Sequence, residues 1–413
     1  MTKPMSGAAA EWRQHYMLPI AAALGYATSV IHIYGLGSFI GPISAEFGWS
    51  RMQTTAGLTV ATLVQAAFGI PIGMMLDRIG PRVFGVVGIV VTLAGFTLLG
   101  TATGDPANWY LLWGVMAFAT LPVQATIWTS AVATRFEASR GLAFAVTLCG
   151  ASVAAALFPY LATKLIAAYG WRHALGAQAA IWLAIAFPII FLFFRGAHDK
   201  PARQSDAKAS TERHDTGIQF MAGLRSSIYV RLLLASLLFT FPTIALVIHF
   251  VPILTGNGFD ALTAAGIAAL IGLSSIAGRL GTGALLDHFR PSLVGAGAFL
   301  LPAGGCLLLL LAGGNHAAVL GAACLIGLAV GAEMDVIVYL TTRHFGLKSF
   351  GALFGGLLAA ISISVASGPL GASYVFDRYG NYTPFLWLAI VLMAASSIAL
   401  ASLPRPAFDP RQP

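Results

Sequence analysis

The sequence predicts an all-α membrane protein, with twelve transmembrane helices in two pseudo-symmetric six-helix halves. Three observations lead there. The chain of 413 residues is 58% hydrophobic and 9% charged, with mean hydropathy +0.82, which is more apolar surface than a soluble core can hide. Its apolar runs are long enough, at about 20 residues each, to cross a hydrocarbon layer of about 30 Å. A polar hairpin between two such runs, Gly73 followed by Asp77-Arg78-Ile79-Gly80-Pro81-Arg82, recurs 210 residues later as Gly283 and Asp287 (283 − 73 and 287 − 77).

Taken in order, the first half places spans at 17–40, 53–76, 83–103, 109–133, 141–168 and 175–195. The second places them at 232–255, 262–286, 292–313, 318–341, 351–376 and 383–402. Lipid offers the backbone no hydrogen-bond partner, so each span must satisfy itself, and helices are the default. Strand alternation is absent, and the 46 glycines suit close helix packing. The 210-residue register also pairs Gly141 with Gly351, Phe144 with Phe354, Ser152 with Ser362, Pro159 with Pro369, Tyr169 with Tyr379 and Gly170 with Gly380. One register held without a gap over that distance is an internal duplication. The paired prolines each remove an intrahelical donor and allow a bend in the fifth and eleventh spans. Residues 1–195 and 232–413 form the halves, and the polar stretch 196–231 reads as a cytoplasmic linker. The alternative is a regulatory or lipid-binding segment, since its basic residues suit anionic head groups.

Lys and Arg set the orientation. With both termini on one side, that side collects every Lys and Arg except Arg51, Lys164, Arg172, Arg378 and Arg279. Positive residues stay cytoplasmic, so both termini are expected there. The net charge of +8 is then topological and gives no reason to invoke nucleic acid. No removable signal peptide is read in the first sixteen residues, and the first span is expected to act as the insertion signal. Cys149, Cys306 and Cys324 fall inside spans, so no structural disulfide is expected.

No HExxH, GxSxG, CxxC or Walker pattern is present, and the nine histidines are dispersed, so neither an enzyme, a metal site nor a cofactor is expected. Arg279 is the sharpest polar feature. Ile271 to Leu286 holds no other charge, and a guanidinium at the bilayer centre costs at least ~2.5 kcal/mol, so it needs a partner. Its planar fork suits a carboxylate, either of a substrate or of Glu333 or Asp335. These two acids lie two residues apart in the tenth span and point to nearly opposite faces. Asp335 shares a stripe with Gly327, Gly331 and Tyr339 that looks built for packing, which favours Glu333 as the cavity acid, while the proton could be carried by Glu333 or Asp335. The alternative for Glu333 is an interhelical hydrogen bond. In the first half Tyr34, Gln65, Gln124, Trp128 and His32 place rings and donors where a cavity for a small organic anion would need them. Each could equally bond a neighbouring helix. His249, late in the seventh span, could titrate or simply mark the outer interface beside Pro252 and the Gly256-Asn257-Gly258 turn.

Gly73-x-x-x-Asp77-Arg78-x-Gly80-x-Arg82 resembles the signature loop of the major facilitator superfamily, and the twelve spans, linker and duplication agree with it. Within that superfamily the chain is similar to the monocarboxylate transporter and oxalate:formate antiporter type. The segments that carry this are Gln65-Ala66, Gly80-Pro81-Arg82, Arg140-Gly141-Leu142-Ala143, and Arg279 four residues before Gly283. Two departures stand out. The lysine of the oxalate:formate type has no counterpart near Ala360, and the acidic residue of the animal monocarboxylate carriers is Ser275. The resemblance implies the major facilitator fold and alternating access, with Arg279 on a substrate carboxylate and Tyr34 and Gln65 at matching aromatic and amide positions. It also implies gating contacts at Gly73, Asp77, Arg78, Arg82, Gly283 and Asp287. The second loop, with His288 and Pro291, should lock less firmly. The expectation is a proton-coupled monocarboxylate symporter acting as a monomer, in a bacterial inner membrane. The alternative is organic anion exchange, or drug or metabolite efflux, by the same fold.

Overall fold

The structure, a computed structural model, describes residues 7–196, 218–311, 314–346 and 348–405, without the side chains of 69–74, 76–78 and 287. These residues form two compact units, one from the described parts of 1–49 and 56–203, the other from 50–55 and the described parts of 204–413. Most of the predicted linker lies outside the described residues. Among them no β-strand occurs, and nine helices are long and apolar enough to cross a membrane. The chain is a multi-pass, all-α membrane protein.

The difference between nine helices and twelve spans is instructive. Arg140–Phe193 is continuous by its hydrogen bonds, yet Gly170 inside it has φ 74° and ψ 161°, so it holds the fifth and sixth spans together. The first span is cut into Met17–Ser29, Ile31–Tyr34 and Leu36–Phe47, with Val30 leaving helical geometry at φ −113°, ψ 9°. Pieces that short fail a length test although their sum spans. Arg51–Ile79 supplies the second span and is also outside the nine, which are drawn from residues described in full, and Pro81–Leu98 with the short turn Leu99–Thr101 is the third. The fourth is Pro106–Thr120, a short turn Leu121–Val123 at Pro122, and Ala125–Ala133. In the second unit the spans are Ser227–Gly256, Ala261–His288, Pro291–Leu311, His316–Phe345, Phe350–Tyr379 and Thr383–Ala401. The seventh starts at Ser227 rather than 232 because the Ser226 hydroxyl accepts from Tyr229 N at 3.1 Å and caps it.

Internal duplication is visible in the turns. The positive-φ glycines Gly48, Gly104 and Gly170 of the first unit match Gly258, Gly314 and Gly380 of the second, 210 residues on. The caps match as well. Asp105 accepts from Ala107 N at 3.0 Å, and its counterpart Asn315 accepts from Ala317 N at 2.9 Å. Ser50 accepts from Gln53 N, and Asp260 in the same register accepts from Thr263 N. These three turns copy each other, whereas the positive-φ glycines Gly80 and Gly346 have Arg290 and Phe136 at their register positions.

Candidate functional site

The eighth and tenth spans pack through glycine. A Cβ on Gly327 would lie 2.4 Å from Ile271 O, and one on Gly331 would lie 1.9 Å from Ser275 O, so the two backbones touch where a side chain would stand. Ile271 and Ser275 are four residues apart, as are Gly327 and Gly331, so one more turn along each helix brings Asp335 to Arg279. Arg279 Nη1 donates to Asp335 Oδ1 at 3.2 Å. The packing ridge and the charge pair are one device, and of the two acids the sequence offers as partner for Arg279 it is Asp335 that pairs with it.

Glu333, two residues before, points to the seventh span and accepts from the Thr240 hydroxyl. Its hydrogen bond to a neighbouring helix is the alternative reading from the sequence, and the arginine's direct partner is Asp335. Thr240 was not legible as a site residue. A lone hydroxyl in an apolar run usually bonds its own backbone, and only the packing of Ser227–Gly256 on the tenth span aims it elsewhere.

Arg279 is 11% exposed and Asp335 29%. The single bond between them leaves the fork mostly unused, and Arg279 Nε is buried with no hydrogen-bond partner among the described residues. A buried guanidinium donor without a partner is costly, and a ligand that supplied a second acceptor would recover that cost. Ser275, one turn before Arg279, is buried and donates to Gly272 O at 2.7 Å.

In the first unit the predicted residues separate. Gln65 Nε2 donates to Thr120 Oγ1 at 2.7 Å, tying the second span to the fourth. Gln124 is partly exposed in the extended link (φ −60°, ψ 155°) that breaks the fourth span. Tyr34 is partly buried at the end of the short helix Ile31–Tyr34. Trp128 is seated among helices of its own unit. Its ring is fully buried against Gly25, Gly85 and Phe194, and its Nε1 donates to Val123 O at 2.7 Å, so it packs the unit and holds the turn at Pro122. A tryptophan in a polar-looking stretch does not reveal that glycines on two other helices have made room for its ring. His32 is buried with its ring edge-on to Trp113.

Of the expected gating residues, the side chains of Asp77, Arg78 and Asp287 lie outside the described residues, as does the environment of Gly73. Arg82 Nη2 donates to Phe191 O at 3.3 Å within the first unit. Gly283 lies in Ala261–His288, and a Cβ there would meet nothing within 4 Å.

The sequence profile of the Major Facilitator Superfamily matches residues 22–346. The chain belongs to that superfamily. Members of the major facilitator superfamily are transporters. Similar superfamily proteins include the MFS transporter asaE of Aspergillus flavus, 22% identical over 343 residues, covering 81% of this chain and 74% of that protein. Monocarboxylate transporter 13 of Bos taurus is 26% identical over 360 residues, covering 86% and 80%. The riboflavin transporter RibJ of Trypanosoma cruzi is 26% identical over 136 residues, covering 33% of this chain and 29% of that protein.

Proposed function

We propose that this superfamily member transports small organic anions by alternating access, and that its favoured mode is proton-coupled monocarboxylate symport. One observation carries the reading. Arg279 is partly buried, holds Asp335 through a single hydrogen bond and keeps a buried Nε without a partner among the described residues. A substrate carboxylate can take two donors of the fork at once, which Asp335 does not. On this reading the substrate displaces Asp335, and an acid that loses its cation inside the membrane takes up a proton. Anion and proton would then be bound together. The likeness to monocarboxylate transporter 13 supports the same substrate class.

Glu333 is the second candidate for the proton, because Thr240 can donate to its carboxylate or accept from its acid form. Exchange of one anion for another is the competing mode, in which Asp335 stays ionised and re-forms the pair after each release. Proteoliposome uptake of labelled lactate and related acids tests both. An imposed inward proton gradient should accelerate uptake. If preloaded anion accelerates it and the gradient does not, symport is wrong and exchange stands.

A further inference from the structure

The paired prolines present a carbonyl to a neighbouring helix in each unit, and the units answer it with different chemistry. In the first unit Ser38 Oγ donates to Pro159 O at 3.1 Å and accepts from Thr163 Oγ1 at 2.9 Å. In the second, the equivalent carbonyl of Pro369 lies 3.1 Å from His249 Nε2. Ser373, at the register position of Thr163, lies 3.3 Å from the same nitrogen. A carbonyl can only accept, so Nε2 carries the hydrogen and does the work of the Ser38 hydroxyl. A neutral imidazole then has Nδ1 free as an acceptor, an atom that serine lacks.

That atom is used. Nδ1 accepts from the Tyr382 hydroxyl at 2.8 Å. Burial pushes the Tyr382 hydroxyl up to about 12 although Arg51 beside it opposes the shift, so it stays a donor. The Tyr382 oxygen accepts in turn from Arg51 Nη1. The chain therefore runs one way, from Arg51 to Tyr382 to His249 to the Pro369 carbonyl.

Its first member belongs to the short segment 50–55 that is part of the second unit. The Arg51 guanidinium carbon lies 3.4 Å from the Phe376 ring centroid. Asp377 accepts from the backbone amides of Arg51 and Met52 at 2.9 Å each, and Thr55 Oγ1 lies 2.9 Å from Ser373 Oγ. Beside this seat opens a pocket of about 320 Å³ walled by Phe376, Tyr382, Asn257, Asn381 and Thr383 among others.

We propose that His249 is a proton-binding site, and that a proton on Nδ1 loosens residues 50–55 from their seat on Phe376, Asp377 and Tyr382. The new N–H turns the acceptor into a donor, so the Tyr382 hydroxyl loses its target. The phenolic oxygen then faces two cationic donors, Arg51 and the imidazolium. The charged and titratable groups around the ring are Arg51, Tyr382 and Asp377. Both Asp377 oxygens are engaged by amides of the segment, so the added charge repels Arg51 without a counterion on the ring itself. This site is separate from the Arg279 pair and does not rest on its reading.

Hydrogen exchange of the 50–55 backbone in full-length protein, across roughly pH 4–8 and corrected for intrinsic exchange, tests it. In wild type, protection should fall on the order of tenfold per pH unit below one midpoint. His249→Gln keeps a donor and an acceptor but cannot titrate, so its protection should persist below that midpoint. Asp377→Asn should weaken protection at every pH, since it removes the acceptor of the Arg51 and Met52 amides. Equal pH profiles for wild type and His249→Gln would overturn the proposal. Nitrogen-15 spectra of histidine-labelled wild type need no variant: they should show Nε2 protonated and Nδ1 bare at neutral pH, and the opposite tautomer would also overturn it. Arg279→Lys should leave the exchange profile unchanged; a shift of the midpoint in that variant would contradict a separate site.

Discussion

The two units share their turns and differ in the middle of their spans. Gly48, Gly104 and Gly170 recur as Gly258, Gly314 and Gly380, and the caps at Ser50 and Asp105 recur as Asp260 and Asn315. Turn geometry is a local demand, met by any residue that tolerates positive φ or accepts an amide, so duplication preserves it easily. Mid-span positions are free to diverge. Arg279 stands where the first unit has Gly69, Ser275 where it has Gln65, and His249 does the work of Ser38. The comparison teaches where one duplicated scaffold acquired a charged centre in only one copy.

The largest effect expected from breaking that asymmetry is at Arg279. Arg279→Lys keeps the charge and loses the fork. Uptake of a carboxylate substrate should fall on the order of 10–100-fold, the worth of a charged hydrogen bond of ~1.5–3 kcal/mol, while membrane insertion persists. Unchanged uptake in proteoliposomes would remove Arg279 from the site. Gly331→Ala comes next, because its Cβ would lie 1.9 Å from Ser275 O; pushing the eighth and tenth spans apart should cost ~1–3 kcal/mol in thermal or denaturant unfolding. Gly283→Ala, whose Cβ meets nothing within 4 Å, should be neutral or slightly stabilising by ~0.5–1 kcal/mol. If both variants unfold alike, the glycine ridge does not set the register of the charge pair.

Smaller effects test the shared turns. Asp105→Ala and Asn315→Ala should each cost ~1 kcal/mol, and by similar amounts, since both remove an N-cap of the same geometry. A loss confined to one unit would show that the caps are equivalent in form only. The smallest effect concerns a contact of the first unit. Glu11, on the short helix Gly7–His15, accepts from the amides of Ala138 and Glu137 and from Ser139, which holds its carboxyl down at about 2. A depressed carboxyl contributes stability above its unfolded value near 4.5, and loses it as pH falls through about 2. The difference in Tm between wild type and Glu11→Gln should therefore shrink as pH drops across that window. Met221 stands at the matching position of the second unit, so its replacement should show no such pH dependence.

Class, span count and duplication were legible in the sequence, because they follow from composition and from spacing along one chain. Bilayer thickness demands runs of about 20 residues, and a gap-free repeat can be read as text. That Arg279 needs a partner was equally legible, since burial of a lone charge is costly wherever it occurs. Which acid answers it was decided by tertiary structure. Gly327 and Gly331 set how two helices slide against each other, and that register put Asp335 on Arg279 and turned Glu333 to Thr240. Trp128 was assigned in the same way, by glycines on other helices that made room for its ring. His249 reads alone as a polar residue late in a span; its two nitrogens acquire direction only from Pro369 on one side and Tyr382 on the other. Sequence determines what each residue can offer, but a hydrogen bond or an ion pair needs two groups within about 3 Å, and that distance is set by packing between helices.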